Sequence, residues 1–484
     1  MADEIELKLE LSPAAADRIA EAALLGGDAK PVKQRSIYFD TAGRHVAKAG
    51  FSLRIRRSGG KRVQTIKADG ASAAGLFVRS EWERPVGNDT PVIDHTTPLP
   101  AVLGDAAEGI APLFEVRVER RTWMIGDGDR IIELVLDRGM VAAGKRSEPV
   151  CEVELELKSG DRAALFGLAR KLDAIAPVRL GVLSKAERGY LLTGAKANCV
   201  KAEPIVLGAE TTAAEAFGHI VQSCIRQFRL NEALLLANRD SDALHQARVA
   251  VRRMRSAFSI FKPVIGDDGA ALRDELRWLA SALGEARDLD VLLLRTSPGG
   301  LHDRLARART AAYDALLELL ASNRARGVLL DLAEWLAREH RTVDATGEAD
   351  GDQPARDFAV AALDRFRRRI KRRGRNLSRL DDAARHEVRK DAKKLRYASE
   401  FFMSLFERKR ERRRHKRFTA ALETLQDRLG ALNDLASAPE VLGRLGLSGD
   451  ADAADLLAGR TGKMKMLELA EDAFDDLVDA RKFW

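Results

Sequence analysis

Charged side chains occupy every second position near the start of the chain, in Glu4-Ile5-Glu6-Leu7-Lys8. In a β-strand alternate side chains point to the same face, so the three charged groups share one face and the two apolar groups share the other. A lone strand of this kind usually turns its charges toward water. Here the pattern recurs in Leu53-Arg54-Ile55-Arg56, Glu81-Trp82-Glu83 and Glu152-Val153-Glu154. Acidic and basic strands in one unit predict a barrel with a charged interior, which could hold a polyanion together with metal ions.

The carboxylates on these strands would repel one another inside a barrel and take up protons unless cations compensate them. Hard divalent cations such as Mg²⁺ or Mn²⁺ provide this compensation because they prefer oxygen ligands. The predicted inward carboxylates are Glu4, Glu6, Glu81, Glu83, Asp137, Glu152 and Glu154. The same interior carries positive charge on Lys8, Arg54, Arg56, Lys67, Arg120 and Lys185. Because arginine forks match phosphate oxygens, so many cations beside a metal predict a triphosphate chain rather than a single phosphate.

Seven sequence pieces resemble, in the correct order, the CYTH or triphosphate tunnel metalloenzyme superfamily. They are Glu4-x-Glu6-x-Lys8, Tyr38-Phe39-Asp40-Thr41, Leu53-Arg54-Ile55-Arg56, Thr65-Ile66-Lys67, Glu81-x-Glu83, Glu152-Val153-Glu154-Leu155 and Ser184-Lys185-x-Glu187-x-Gly189-Tyr190. The resemblance covers residues 1–192 and implies an eight-stranded tunnel. Members of that superfamily hydrolyse inorganic triphosphate or thiamine triphosphate, cap RNA 5′ ends or cyclise ATP.

The resemblance also implies roles for the tunnel residues. Glu4 and Glu6 would be metal ligands, with Glu152 and Glu154 on a facing strand and Asp137 in the same acidic set. The triphosphate would be gripped by Lys8, Arg54, Arg56, Lys67 and Arg120. Glu81 and Glu83 would help to place metals or water, and Lys185 would touch the terminal phosphoryl group. The implied reaction is in-line attack by a metal-positioned water on one end of the chain of phosphates.

Some placements in the tunnel stay open. Arg117, Arg120 and Arg121 cannot all face inward on one regular strand. Either Glu154 or Glu156 is the deeper carboxylate.

Three other residues are assigned less directly. Tyr38 and Trp123 are predicted to be packing residues rather than catalytic ones. Glu133 is either an inward carboxylate or a solvated surface charge.

The first part of the chain has the pattern of strands and the rest the pattern of helices, so its 484 residues indicate at least two domains. Eight alternating runs separated by turn signals predict an antiparallel barrel over residues 1–192, with helices near 13–25 and 160–174. Residues 193–210 have no clear period and are interpreted as a linker. Residues 211–480 have helical spacing throughout and predict an all-α domain. The expected class is an α+β multidomain protein.

Composition and charge favour a cytoplasmic protein with anionic partners. The formal net charge is +8, and 32% of the residues are charged. Three cysteines at unrelated spacings form neither a disulfide framework nor a metal-binding pattern, which is typical of a reducing compartment. The sequence has no signal peptide and no apolar run of membrane-spanning length, so we expect no membrane association.

The helical half contains an internal repeat, which predicts two related bundles of about four helices each. The bundles would cover about residues 211–345 and 354–480. The aligned positions include His245 with His386, Arg248 with Arg389, Phe217 with Phe358 and Gly284 with Gly430.

Each repeat places one histidine and three basic residues on a single face of a helix, which we call the basic stripe. The stripes consist of His245, Arg248, Arg252 and Arg255 in the first repeat and His386, Arg389, Lys393 and Arg396 in the second. Like charges one turn apart destabilise an isolated helix, so the stripes indicate an external anion or facing acids. This duplicated pattern resembles the CHAD domain, the conserved-histidine α-helical module, over about residues 211–480. The resemblance implies that inorganic polyphosphate binds the stripes together with Arg253, Lys390 and Lys394.

The leading hypothesis is a metal-dependent inorganic triphosphatase whose helical domain binds polyphosphate. Thiamine triphosphatase and adenylate cyclase are alternative activities of the same tunnel. A non-catalytic polyphosphate-binding scaffold is a third hypothesis, against which the complete set of acidic and basic tunnel residues argues. Nucleic-acid binding is not favoured, although arginine runs suit sugar–phosphate backbones, because the basic helices lack interleaved aromatic residues.

Overall fold

The computed structural model describes residues 4–68, 71–195, 197–338, 351–444, 446 and 462–484. The chain divides into two compact units. The tunnel unit consists of residues 1–198 and 321–338, and the helical unit consists of residues 199–320 and 339–484. An antiparallel barrel followed by a helical domain confirms the predicted α+β class.

Eleven strands among the described residues form one sheet, in which all the neighbouring strands are antiparallel. They are β1 (Glu4–Leu11), β2 (Val32–Asp40), β3 (Phe51–Ser58), β4 (Lys61–Ala68), β5 (Ala71–Ala73), β6 (Leu76–Arg79), β7 (Glu81–Pro85), β8 (Ala111–Asp127), β9 (Arg130–Ala143), β10 (Arg146–Ser159) and β11 (Val178–Leu180). The alternating runs of the sequence correspond to the long strands, because alternation separates a lumen face from a packed face. The three-residue strands β5 and β11 are too short to show a period, and the prediction missed them.

A bend in the chain closes the barrel. Around the ring the strand order is β6-β1-β10-β9-β8-β2-β3-β4-β7. β6 pairs with β1 and β7 pairs with β4, while Ser80 alone separates β6 from β7 in the chain. Nine strands therefore surround the lumen. The predicted count of eight treated the bent segment as a single strand.

The helices among the described residues are α1 (Pro13–Ala20), α2 (His45–Lys48), α3 (Leu99–Leu103), α4 (Ala163–Ile175), α5 (Lys185–Thr193), α6 (Ala213–Asn238), α7 (Ser241–Ile260), α8 (Lys262–Ile265), α9 (Ala270–Leu294), α10 (Gly300–Ala321), α11 (Asn323–Ala337), α12 (Ala355–Arg373), α13 (Asp382–Phe401), α14 (Lys409–Arg444) and α15 (Lys463–Asp479). Within the described ranges, none of them combines the length and the apolar character needed to cross a membrane.

Two of the recognised motifs attach helices to the barrel. The Asp40 carboxylate accepts hydrogen bonds from the backbone N–H groups of Val46 at 3.0 Å and Ala47 at 3.1 Å, which fixes the start of α2. It also accepts one from the Tyr190 hydroxyl of α5 at 2.8 Å. On the same helix, a Cβ added at Gly189 would lie 2.0 Å from the Phe114 ring, so only glycine allows this close approach to β8. These motif residues therefore support the site without lining it.

Helix α11 belongs to the tunnel unit although it lies far along the sequence. It packs against α4 and β11. The buried Arg326 guanidinium forms a bidentate pair with Asp173 of α4, with distances of 2.6 and 3.2 Å. Arg170 of α4 pairs with Asp331 at 2.6 Å and Glu334 at 2.5 Å. The predicted boundaries placed this segment in the helical domain, because a helix on a barrel has the same apolar spacing as a helix in a bundle.

The internal repeat is visible in the core of the helical unit. Phe261 stacks on Phe358 with ring centroids 4.5 Å apart, and Phe217 and Phe402 lie against Phe261 at 5.3 and 5.7 Å. Each repeat contributes two of these four rings. The segments that precede α6 and α12 also meet in an isolated antiparallel β-bridge. The two repeats therefore begin side by side and share one core.

Candidate active site

The barrel encloses a lumen of about 300 Å³ whose wall is largely charged and polar. It is built by the alternate residues of the ring strands, which point inward because side chains along a strand alternate between faces. All but two of the predicted tunnel residues line it, namely Glu4, Glu6, Lys8, Arg54, Arg56, Lys67, Glu81, Glu83, Arg120, Glu154 and Lys185. The exceptions, Asp137 and Glu152, are 0% and 2% exposed and lie behind the wall.

Three carboxylates form a compact acidic cluster at the inner wall. Asp137, Glu152 and Glu154 each have an oxygen atom within 4.8 Å of the others. The Lys185 ammonium lies 2.7 Å from Asp137, 2.5 Å from Glu152 and 2.8 Å from Glu154. Burial works to lower the pKa of Lys185, but the three carboxylates outweigh it and raise that pKa above its usual range. Lys185 is therefore a protonated cation inside the acidic cluster.

Two further cations complete the neutralisation of the acidic cluster. Lys8 pairs with Glu154, and Arg120 donates to Asp137 from Nε at 2.8 Å and from Nη2 at 2.6 Å. Burial works to raise the pKa of Glu154, but Lys185, Lys8 and Arg120 hold it well below its usual range. The pKa of Asp137 is likewise lowered, because Lys185 and Arg120 outweigh its burial, so Asp137 and Glu154 are ionised at neutral pH.

A second acidic group faces the open lumen. Lys67 bridges Glu4 at 2.7 Å and Glu81 at 3.2 Å. The Glu6 Oε1 atom lies 2.5 Å from the Lys8 ammonium, yet it receives no well-aligned hydrogen bond from any described residue. Glu6 therefore retains acceptor capacity that a bound cation could use.

Arg54 and Arg56 of β3 face the lumen with little internal compensation. The Glu81 carboxylate lies 3.9 Å from the Arg54 guanidinium, and Arg56 forms no ion pair with any described residue. The Nε atoms of both arginines are buried without hydrogen-bond partners within the described part of the chain. Burial, with the nearby Arg54 and Arg120, lowers the pKa of Arg56 to about 10. Such a cation, held in a positive field without a counter-ion, favours binding of an anion.

Tyr38 also lines the lumen, although its sequence context predicted a packing residue. Its ring does pack, because it stacks on Phe114 with centroids 4.7 Å apart. Burial works to raise the pKa of Tyr38, but Arg54, Arg56 and Lys185 lower it below its usual value. The prediction that Tyr38 is a packing residue therefore describes its ring but not its place in the lumen wall. Tyr38 stands directly opposite Arg54 on the next strand, and this pairing is not visible in the local sequence.

The predicted site left out part of the lumen wall. The additional lining residues include Ser52, Thr65, Arg79, Glu133, Glu156, Lys158 and Ser184. Glu156 continues the alternation of β10 and stands opposite Glu6 on one side and Glu133 on the other. Glu154 is the deeper of the two alternatives, with 14% side-chain exposure against 23% for Glu156. Arg120 is the inward arginine of β8.

The oxygen donors of the lumen fit a hard divalent cation. The acidic cluster supplies three carboxylates, but the Lys185 ammonium already contacts all of them. Glu4 and Glu6 line the open lumen beside Glu154. These three residues could hold a metal ion, which would replace the contacts of Lys67 with Glu4, of Lys8 with Glu6, and of Lys8 and Lys185 with Glu154.

The basic stripes of the helical unit lie on α7 and α13, which pack against each other. Burial and four neighbouring arginines lower the pKa of Lys393 to about 7. Those neighbours are Arg389, Arg252, Arg248 and Arg396. Because two of them come from each helix, the stripes form one shared cationic surface.

The histidines and glycines of the two repeats occupy equivalent positions. Burial and Arg287 lower the pKa of His245, and the Nδ1 atom of His386 lies 2.9 Å from the Asn433 side-chain oxygen. Gly284 and Gly430 each leave room for the stripe arginine of their own repeat: an added Cβ would lie 3.6 Å from Arg248 and 4.0 Å from Arg389.

Arg253 lies apart from the shared surface and faces the core. Its side chain is 1% exposed and pairs with Gln227 at 3.0 Å and Glu400 at 2.8 Å. The prediction that Arg253 binds polyphosphate is therefore corrected, because its charge is already satisfied inside the unit. Arg255 and Lys390 are exposed, and Lys394 is half-buried.

Comparisons with known proteins match both halves of the chain. The CYTH domain model matches residues 2–190, and the CHAD domain model matches residues 219–443. The inorganic triphosphatase of Haemophilus influenzae is 30% identical over 203 residues, which cover 40% of this chain and 55% of that protein. The chain thus aligns with little more than half of that relative's length.

Two further relatives extend into the helical half. An uncharacterized protein of Mycobacterium tuberculosis is 26% identical over 431 residues, which cover 78% of each chain. The crystal structure of the CHAD domain from the plant Ricinus communis is 27% identical with a TM-score of 0.48, covering 57% of this chain and 96% of that one. With both domain models matched in order, the chain belongs to the proteins that carry a CYTH domain followed by a CHAD domain.

Proposed function

We propose that the tunnel unit hydrolyses inorganic triphosphate to diphosphate and phosphate with Mg²⁺ or Mn²⁺. The observation that carries this proposal is that one lumen contains both arginines that can bind an anion and carboxylates that can bind a cation. Arg56 forms no ion pair with any described residue and Arg54 forms only a distant one with Glu81, at 3.9 Å, while Glu4 and Glu6 offer carboxylate oxygens in the same lumen. A substrate with several negative charges, bound together with a divalent cation, satisfies both groups. The similarity to an inorganic triphosphatase over the same residues supports this choice of substrate.

The residues of the chain would share the work of binding and alignment. Arg54, Arg56 and Lys67 would bind phosphate oxygens and neutralise the charge that develops on them. Glu4 and Glu6, with Glu154, would hold the metal ion. When bound, that ion supplies charge neutralisation and lowers the pKa of a coordinated water. Glu81 and Glu83 would orient the attacking water along the line of the phosphate chain.

A panel of substrates tests this proposal against its alternatives. Phosphate release should be fastest from inorganic triphosphate and slower from ATP, thiamine triphosphate and long polyphosphate. The expected reason is that the lumen wall is largely charged and polar and offers an adenine or thiazolium ring little apolar surface. Faster turnover of thiamine triphosphate would instead indicate a thiamine triphosphatase, and formation of cyclic AMP from ATP would indicate an adenylate cyclase. No release from any of the four substrates would favour a non-catalytic scaffold.

We further propose that the shared surface of α7 and α13 binds inorganic polyphosphate. The low pKa of Lys393 supports this proposal, because it reflects burial together with four arginines held close to the lysine. A chain of phosphates would supply the missing negative charge.

The free state of Cys151, Cys199 and Cys224 is consistent with the cytoplasmic location that we propose.

Binding of polyphosphate should therefore depend on pH through Lys393. A bound anion favours the protonated lysine, whereas the free surface leaves it about half charged at pH 7. Affinity should rise about tenfold as the pH falls from 9 to 7, because binding takes up nearly a whole proton at pH 9 and only about half a proton at pH 7. Titration calorimetry at both pH values, in two buffers of different ionisation enthalpy, would measure the affinity and the proton uptake.

Lys393→Arg is the matched control, because arginine stays charged across this range. It should bind polyphosphate with nearly equal affinity at pH 7 and pH 9. A native protein whose affinity is the same at both pH values would contradict the role of Lys393.

A further inference from the structure

Besides the lumen, the tunnel unit has a separate groove of about 480 Å³. Among the described residues, the groove and the lumen have no lining residue in common. Its basic lining comes from Lys33 and Arg35 of β2, Arg57 of β3 and Arg117 of β8. Arg57 directly follows the lumen-facing Arg56 on a regular strand, so its side chain points to the outer face of the barrel.

Four arginines form a continuous row across the strands, and three of them, Arg35, Arg57 and Arg117, line this groove. Arg62 stands opposite Arg57, Arg57 opposite Arg35, and Arg35 opposite Arg117, on the adjacent strands β4, β3, β2 and β8. Like charges directly opposite each other destabilise an antiparallel sheet. With strands about 4.8 Å apart, the row extends for roughly 14 Å. We call this set the arginine row.

The arginine row has only partial internal compensation. Asp89 is shared by Arg62 at 2.9 Å and Arg57 at 3.5 Å, and Glu115 is shared by Arg35 at 2.7 Å and Arg117. Among the described residues, two carboxylates therefore pair with these four guanidinium groups, while Glu119, which also lines the groove, pairs with Arg121 at 3.9 Å. The side chains of Arg57, Arg35 and Arg117 are 40%, 43% and 67% exposed, so they can reach a ligand in solution.

We propose that the arginine row is a docking surface for inorganic polyphosphate on the outside of the barrel. A linear anion with one charge on each phosphate can contact successive guanidinium forks along the row. A single phosphate would have to compete with Asp89 or Glu115, whereas a chain adds several contacts at once. No aromatic side chain lines the groove within the described residues, so it offers nucleic-acid bases no stacking partner. The proposal is independent of triphosphate hydrolysis in the lumen.

The test uses the full chain with Arg252→Gln/Lys393→Gln, which removes charge from the shared surface of α7 and α13. Polyphosphate is titrated into this protein in EDTA, so that hydrolysis does not interfere. Adding Arg35→Gln/Arg57→Gln should weaken the remaining affinity at least fivefold. Adding Lys145→Gln/Arg162→Gln, which removes equal charge from exposed positions outside the groove, should change it less than twofold. In an otherwise native chain, Arg35→Gln/Arg57→Gln should leave triphosphate turnover unchanged.

Three results would overturn the docking surface. Equal weakening by the groove pair and the control pair would indicate a general charge effect. No measurable polyphosphate binding in the Arg252→Gln/Lys393→Gln background would confine binding to the helical unit. A single-stranded oligonucleotide of equal charge that competes as well as polyphosphate would show that the partner is nucleic acid instead.

Discussion

Replacing Arg54 and Arg56 together by glutamine should lower kcat/KM for triphosphate by about a hundredfold to ten-thousandfold. Each charge-assisted hydrogen bond contributes roughly 1.5–3 kcal/mol, and each 1.4 kcal/mol is a factor of ten in rate. The loss should be large because neither arginine is committed to a carboxylate of the protein at hydrogen-bond distance. Steady-state phosphate release over a range of triphosphate concentrations measures the effect.

The same variant should change stability little, because two effects oppose each other. Loss of Arg56 relieves repulsion, whereas loss of Arg54 removes a charge whose pKa is raised, despite burial, by Tyr38 and Glu81. Its thermal midpoint should therefore lie close to that of the native chain. Arg18→Gln/Lys48→Gln, which removes two exposed cations away from the lumen, is the matched control and should keep native kinetics. Native kcat/KM in Arg54→Gln/Arg56→Gln would contradict the assignment of these arginines to the substrate.

Lys185→Met should destabilise the tunnel unit by about 3–5 kcal/mol, which is the usual cost of removing one partner from a buried ion pair. The variant leaves Asp137, Glu152 and Glu154 crowded without their shared ammonium. A divalent cation could then occupy the acidic cluster, because three carboxylates within reach of one another suit Mg²⁺. Millimolar Mg²⁺ should therefore raise the thermal midpoint of the variant more than that of the native chain.

Lys158→Met provides the comparison for Lys185→Met. Lys158 also pairs with a lumen carboxylate, Glu156 at 2.5 Å, but its side chain is 36% exposed. Water can solvate Glu156 after the change, so we expect a loss below about 1 kcal/mol. An unchanged thermal midpoint for Lys185→Met would contradict the view that this lysine neutralises the acidic cluster.

The long strands and the charges on them were predictable because alternation along a strand is a local property. The strand of Glu4, Glu6 and Lys8 alone is typical of a solvated face, so their inward placement depended on the same alternation recurring in other strands. The seven collinear motifs indicated their partners. Closure of the ring was not predictable in the same way, because it depends on one bend at Ser80 between two short strands. Such a bend is a tertiary feature, and four or five residues carry too little periodicity to reveal it.

Tyr38 and Arg253 show where prediction from sequence fails for individual side chains. Tyr38 combines an apolar ring that packs with a hydroxyl that faces the lumen, so residue type alone suggested only the ring. Arg253 belongs to a run of basic residues, but its side chain is buried and pairs with Gln227 and Glu400. In both cases the deciding information is the neighbour across a strand or a helix, which local sequence does not contain.

The central claim is that a metal held by the carboxylates of β1 acts on triphosphate in the lumen. Phosphate release from inorganic triphosphate, with and without Mg²⁺ or Mn²⁺, should be compared between the native chain and Glu4→Gln/Glu6→Gln. Glu21→Gln/Glu108→Gln, at two exposed positions, is the control for loss of negative charge. We predict metal-dependent release by the native and control chains and a drop of about a thousandfold or more in the lumen variant. Equal release by the lumen variant would contradict the account.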